Sequence, residues 1–364
     1  MLLSLTADYA SIYSSVPTRD IKMNVLIVRP DGIGDLVLSL PVASQLRRFI
    51  PEVHIGFLTS PVTAPVLDRH PDVDYIRSVT FQAPLSDLVH AFSGGIDVAV
   101  FLKPFRRLMW AAFLARVPVR VASGYRWYSL LANRRVYEHR SDFSKHESEY
   151  NLGMLRGLGH NPTELIYPSL EVTDTERRSG EDYWHGLPST HVIIHPGGVS
   201  ARHWRPTHYR DLALDLVRRG YGVVFTGSEP ERIDFERDAF AGAPVSQGIR
   251  SLMGQLSIRE LMAVIATAQV VVSGSTGPAH LAAALGVPTV SLFNPLRNHL
   301  PVRWKPLGRG VLLRPGVPTC ERCIGDACPY WDCLDRFTPP EVAYRVAQVI
   351  RASQKPSSLQ IIHI

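Results

Sequence analysis

Cysteine is scarce in this chain: four among 364 residues, all between positions 320 and 333. A disulfide framework tying the whole molecule together is therefore excluded. Long apolar runs are missing too, none approaching the ~20 residues a bilayer span needs. The opening 22 residues have a short apolar start, no basic lead, and an interruption at Asp8. They do not read as a secretory signal, so cytoplasm is the expected compartment. They form an extension before the first strong signal, and Met23 offers an alternative start. Neither first strand leads into a Gly-x-Gly-x-x-Gly fingerprint, and no Gly-x4-Gly-Lys-Ser/Thr loop occurs, which disfavours a dinucleotide-dependent or ATP-hydrolysing enzyme.

What is present is apolar enough to build full cores: 45% hydrophobic residues against 20% charged. The length suits two domains of ordinary size. A net charge of +6 favours anionic partners. Apolar β-branched runs alternate with helical patterns along the chain, which predicts parallel sheets wound by helices. Strands are expected at 23–28, 53–58, 75–79, 97–102 and 119–123, with helices between them. The pattern restarts at 191–195 and continues with strands at 222–226, 268–272 and 289–293. Residues 23–170 therefore read as one Rossmann-like domain, 171–190 as a linker and 191–339 as a second such domain. A closing helix and tail fill 340–364.

Three strand ends carry small-residue turns. The run 23–28 enters Arg29-Pro30-Asp31-Gly32-Ile33-Gly34-Asp35 and then a helix that Pro41 should distort. Asp35 at that helix entrance serves either as a cap or as a carboxylate presented to a cleft. The strand 191–195 runs into His195-Pro196-Gly197-Gly198, followed by Arg202-His203-Trp204-Arg205-Pro206. The run 268–272 enters Ser273-Gly274-Ser275-Thr276-Gly277-Pro278-Ala279-His280, where Pro278 suits a first helical turn. Unpaired N–H groups and the positive end of a helix dipole make such a turn an anion site. The four cysteines, Cys320, Cys323, Cys328 and Cys333, fit a structural zinc ion or reduced thiols better than disulfides in a reducing compartment.

These three segments, in order and in spacing, resemble glycosyltransferase family 9, the heptosyltransferase family of lipopolysaccharide core assembly. The resemblance implies a GT-B architecture, two doubly wound Rossmann-like domains facing a central cleft. It implies inverting transfer of a sugar, typically heptose from ADP-heptose, to a lipopolysaccharide core or related acceptor. Asp35 then takes the position of the general base. Arg202, Ser275, Thr276, Gly277 and His280 fall at the donor diphosphate, Glu229 at the ribose and Met253 beside the base of the nucleotide. No cofactor is expected for catalysis, since the helix dipole and cations stand in for a divalent ion. Ser275 and Arg202 replace the family's usual Asp and Lys, which leaves open another nucleotide-sugar, or an inactive relative that binds a nucleotide or lipid.

Basic residues crowd positions 103–140, interleaved with Trp110, Phe113, Trp127 and Tyr128. That mixture suits an anionic glycolipid acceptor at a membrane surface, with Arg29, Lys103, Arg106 and Arg126 as the acceptor-side candidates. The inner face of the cytoplasmic membrane is the expected station. Nucleic acid is not expected, because no recognition motif accompanies the charge.

Overall fold

The computed structural model describes residues 23–198, 203–241, 247–352 and the backbone of 360–363. The 1–22 extension and Arg202 lie outside the described residues. Two parallel sheets organise the chain. The first has six strands: β1 (Asn24–Val28), β2 (His54–Thr59), β3 (Tyr75–Ser78), β4 (Val98–Phe101), β5 (Val119–Ser123) and β6 (Arg134–Val136). Its spatial order is β3-β2-β1-β4-β5-β6. The second has seven: β7 (Thr190–His195), β8 (Tyr221–Phe225), β9 (Ile249–Ser251), β10 (Val270–Gly274), β11 (Thr289–Leu292), β12 (Gly310–Arg314) and β13 (Gln360–His363). Its order is β13-β12-β11-β10-β7-β8-β9. Each sheet thus reverses winding direction beside its first strand, between β1 and β4 and between β7 and β10. Open α/β sheets bind ligands at such a reversal, beyond the carboxyl ends of the strands.

Alternation along the strands decides the layers. Leu26 and Val28 face one cluster with Phe101, Leu108 and Met109. Val25 and Ile27 face another, which continues without a break to Ile193, Val224, Val271 and Leu281 of the second domain. Val192, Ile194, Phe225 and Val272 line the far side of the second sheet with Trp204, Phe337 and Val346. The two domains therefore share apolar packing beneath the cleft instead of meeting only through a hinge.

Pro41 distorts the helix after β1 as expected, and other elements differ from the sequence expectation. The helix after β1 is broken: Ile33–Val37 ends at Leu38, and Leu40–Phe49 begins with Pro41 in its first turn. A proline lacks the N–H a continuous helix needs there. The expected linker contains a helix, Asp174–Asp182, whose Thr173 and Glu176 form a capping box. Glu176 pairs with Arg259 at 2.6 Å, and Trp184 Nε1 donates to Thr267 Oγ1 at 2.9 Å, so this helix belongs to the second domain. A helix at Glu229–Phe240 and the strands β6, β9, β12 and β13 complete the picture.

Candidate active site

Asp35 lies in the first turn of Ile33–Val37, with its side chain 27% exposed. Arg29, at the end of β1 and only 1% exposed, binds the Asp35 carboxylate through Nη2. Its other nitrogens are also committed: Nε to Asp31 at 2.7 Å, and Nη1 to Glu147 at 3.2 Å and Asn151 at 3.1 Å. Lys103, just beyond β4, meets Asp31 at 3.1 Å. Burial pushes the Asp35 carboxyl above the ordinary carboxylate range; Arg29 and Lys103 pull it down, while Asp31 and Glu147 push it further up. Among the residues expected at the acceptor, Arg29 is thus buried under the carboxylate and cannot reach a surface ligand. Lys103, Arg106 and Arg126 are exposed.

The second domain brings its own turn to the same place. Thr276 caps the helix Gly277–Ala284 in extended conformation, with its side chain making no cap hydrogen bond. Thr276 Oγ1 and His280 Nδ1 are buried and without a hydrogen-bond partner among the described residues. An unpaired polar atom in a closed environment costs about 1–3 kcal/mol, so both are poised to meet a ligand. Burial holds the His280 imidazole down at about 3, which keeps it neutral. Gly198, at φ +143°, lies against Thr276: a Cβ there would come within 2.6 Å of the Thr276 methyl. Glu231 holds the Gly198 N–H at 2.8 Å and the Ser228 N–H at 2.7 Å. Glu231 thereby ties the β7 turn to the β8 turn, while Gly198 brings the β7 turn against the β10 turn at the switch point. Ser275 is half-buried in the same turn.

The two turns touch across the domain boundary. A Cβ on Gly34 would lie 2.8 Å from His280 Cδ2, and one on Gly277 would lie 2.9 Å from Ile33 Cβ. Glycine at both positions lets the helix carrying Asp35 and the helix capped by Thr276 approach backbone to backbone. Glu229 opens the helix Glu229–Phe240 beyond β8, is exposed, and is chelated by Arg232 at 2.6 and 2.8 Å. Arg232 holds its carboxyl below the ordinary range. Glu229 stands over Gly254, next to Met253, whose own side chain is fully buried.

Among the described residues no metal donors gather at this cleft. The chain's one Asp-x-Asp, Asp72-Val73-Asp74, which the sequence reading passed over, is spent on structure: Asp74 binds Arg47 at 2.7 Å and the Ile55 N–H at 2.6 Å. Cys320, Cys323, Cys328 and Cys333 line one small pocket with Asn294 and Leu296, and none forms a disulfide. Among the described residues no three His, Cys, Asp or Glu side chains are arranged to hold a metal ion, so the thiols as placed do not fit a zinc centre. Sequence reasoning missed Glu147 and Arg303, whose partners are distant in sequence, and Asp31 and Glu231, which combine a local partner, Arg29 or Ser228, with a distant one, Lys103 or Gly198.

No helix among the described residues is long and apolar enough to cross a membrane. Comparison with known proteins agrees with the geometry. The chain is 26% identical over 291 residues to lipopolysaccharide heptosyltransferase 2 of Salmonella typhimurium, covering 75% of this chain and 83% of that one. It superposes on the Escherichia coli ADP-heptose lipopolysaccharide heptosyltransferase II with a TM-score of 0.76 at 22% identity, over 92% of this chain and all of the other. An Escherichia coli heptosyltransferase solved with ADP superposes at 0.65 and 19% identity, over 90% of this chain and 100% of its own. The model for glycosyltransferase family 9 (heptosyltransferase) matches residues 105–321, more than half of the sequence. The two facing Rossmann-like domains are a GT-B fold, and the chain belongs to glycosyltransferase family 9.

Proposed function

We propose that this glycosyltransferase moves heptose from ADP-heptose to a lipopolysaccharide core acceptor with inversion at the anomeric carbon. One observation carries the reading: the Asp35 helix of the first domain meets the Thr276-capped helix of the second. An acceptor hydroxyl entering over Asp35 attacks the anomeric carbon from the face opposite the diphosphate. A new C–O bond forms, the bond from the anomeric carbon to phosphate breaks with its electron pair, and the hydroxyl proton passes to Asp35. A carboxylate raised above its ordinary range is a better base for this transfer, and Arg29 fixes its orientation. The departing ADP places its charge at the start of Gly277–Ala284, where N–H groups, the helix dipole, Thr276 Oγ1 and the neutral His280 receive it. Arg202 adds a cation and Glu229 takes the ribose hydroxyls. A divalent ion is not needed to hold the diphosphate in this scheme. The relatives' names support a nucleotide-sugar donor and a role in lipopolysaccharide heptosyl transfer.

The acceptor is proposed to arrive on a membrane. Trp127 and Leu130 are 67% and 64% exposed, with Trp110, Phe113 and Leu114 also exposed. They lie on Arg106–Leu114 and Trp127–Leu131, elements that follow the carboxyl ends of β4 and β5. This is the end of the sheet at which Asp35 stands. Exposed Arg106 and Arg126 stand at the starts of the same two elements, a composition suited to an anionic lipid surface.

Incubating the enzyme with ADP-heptose and core-truncated lipopolysaccharide tests the reading. The expected outcome is ADP release with an inverted anomeric product, at a rate unchanged by a chelator. Transfer from a different nucleotide-sugar alone would favour the second reading that Ser275 suggests, a changed donor. Retention of configuration would refute the mechanism.

A further inference from the structure

The geometry points to Arg303 as a positioning residue supplied by the second domain: by occupying Glu147 it commits Arg29 to Asp35, so that docking of the domains completes the base. This rests on the reading of Asp35 as general base. Arg303 lies in the short helix Pro301–Trp304, which follows β11 of the second domain. Glu147 opens the helix Glu147–Gly153 of the first domain, and its side chain is 1% exposed. The pair therefore crosses the cleft.

The two oxygens of Glu147 are divided between the domains. Oε1 accepts from Arg29 Nη1 and forms an ion pair with Arg140 Nη1, both at 3.2 Å. Oε2 accepts from Arg303 Nε at 3.0 Å and lies 2.9 Å from Arg303 Nη2 in the same ion pair. Arg303 is itself held: Nη1 reaches the Arg140 carbonyl at 3.4 Å, and the guanidinium lies over Phe143 and Trp304. A second link joins the same segments, with His146 Nε2 2.9 Å from the Lys305 carbonyl. From Glu147 the chain of contacts continues through Arg29, whose remaining nitrogens hold Asp31 and Asp35.

The charged groups facing Asp35 are Arg29 and Asp31 from the end of β1, Lys103 from beyond β4 and Glu147 from Glu147–Gly153, and neutral His280 of the second domain lies against Gly34, the residue before Asp35. Glu147 disfavours the Asp35 anion, and Arg29 favours it. With Arg303 withdrawn, a buried carboxylate oxygen loses its partner. Arg29 and Arg140 must then serve Glu147 more fully, and Arg29 holds Asp35 less. Both effects make Asp35 harder to ionise when the domains part and easier when they dock.

The experiment is the pH profile of kcat for heptosyl transfer in the full-length enzyme, with Asp35→Asn assayed alongside. In Arg303→Gln the acid limb should rise by about one pH unit, as expected for an unscreened charge nearby. The loss of kcat should then approach about tenfold on the acid side of the limb and disappear on the alkaline plateau, with KM for the donor changed less. Arg303→Met, which keeps the stem packed on Phe143 and Trp304, is the second uncharged variant and should behave alike. Arg303→Lys should bring the limb back toward wild type. A loss of kcat equal at every pH, or an unmoved limb with Asp35→Asn inactive, would overturn the role of Arg303. Transfer retained by Asp35→Asn would instead overturn the base assignment on which it rests.

Discussion

Adding one methyl group at Gly34 should separate the two halves of the site. The built Cβ would stand 2.8 Å from His280 Cδ2, whereas carbon atoms pack at about 3.5–4.0 Å. The deficit is roughly 1 Å, and His280 is 4% exposed, so its ring has little room to retreat. Accommodating the clash in place would cost about 1–3 kcal/mol of overpacking. Parting the Ile33–Val37 and Gly277–Ala284 helices relieves it instead, at the expense of the distance between Asp35 and the donor. A misplacement of ~1 Å between reacting groups can cost about a hundredfold in rate. Gly34→Ala should therefore lower kcat about 10- to 100-fold, while ADP affinity, set by the Thr276 turn, changes by no more than a fewfold. Gly32→Ala meets only Asp35 Oδ2 at 3.6 Å, an ordinary contact, and should cost much less. Steady-state kinetics and calorimetry with ADP measure both. A Gly34→Ala enzyme with wild-type kcat would refute the view that this contact sets the catalytic distance.

Two further results are expected. Burial holds the His280 and His195 side chains down at about 3 and about 4, against an ordinary value of 6.5. Both are neutral in the folded and unfolded chain above pH 6.5, so they leave stability untouched there. Below 6.5 the unfolded chain takes up two protons that the folded one refuses, and stability falls as pH drops toward the folded values. Between pH 6.5 and 5 the loss should be about 3–4 kcal/mol, read by urea unfolding; a flat profile would contradict the buried neutral histidines. The exposed aromatic patch should bind vesicles containing phosphatidylglycerol more tightly than neutral ones, and less so in high salt. Trp127→Ser should weaken that binding in a sedimentation assay, and equal binding by the variant would rule out this face.

Where the chemistry is local, the sequence announces it. The turns at Gly32-Ile33-Gly34-Asp35, His195-Pro196-Gly197-Gly198 and Thr276-Gly277-Pro278 are legible because strand, small-residue turn and helix start follow one another within a few residues. Some local signals were available and passed over. The Ser228–Glu231 and Thr173–Glu176 capping boxes mark the starts of Glu229–Phe240 and Asp174–Asp182, helices that otherwise look like charged loop. Strand β12 follows the polar stretch Pro306-Leu307-Gly308-Arg309 and β13 pairs with it at the sheet edge, so their assignment depends on tertiary pairing. Glu147 sits in Lys145-His146-Glu147-Ser148-Glu149, a run that reads as a solvated helix start. Its burial depends on three arginines from positions 29, 140 and 303, which no window of sequence brings together. Arg29 reads as an acceptor-side cation for the same reason, and only the fold shows it as the bracket for Asp35.

The measurement closest to the central claim is a single-turnover assay of Asp35→Asn with donor and acceptor both saturating. Removing the proton acceptor while keeping the shape should lower the chemical step by at least about a hundredfold, with ADP-heptose still bound at wild-type affinity. A chemical step as fast as in the unaltered enzyme would contradict the account, because the carboxylate held by Arg29 would then have no part in the transfer.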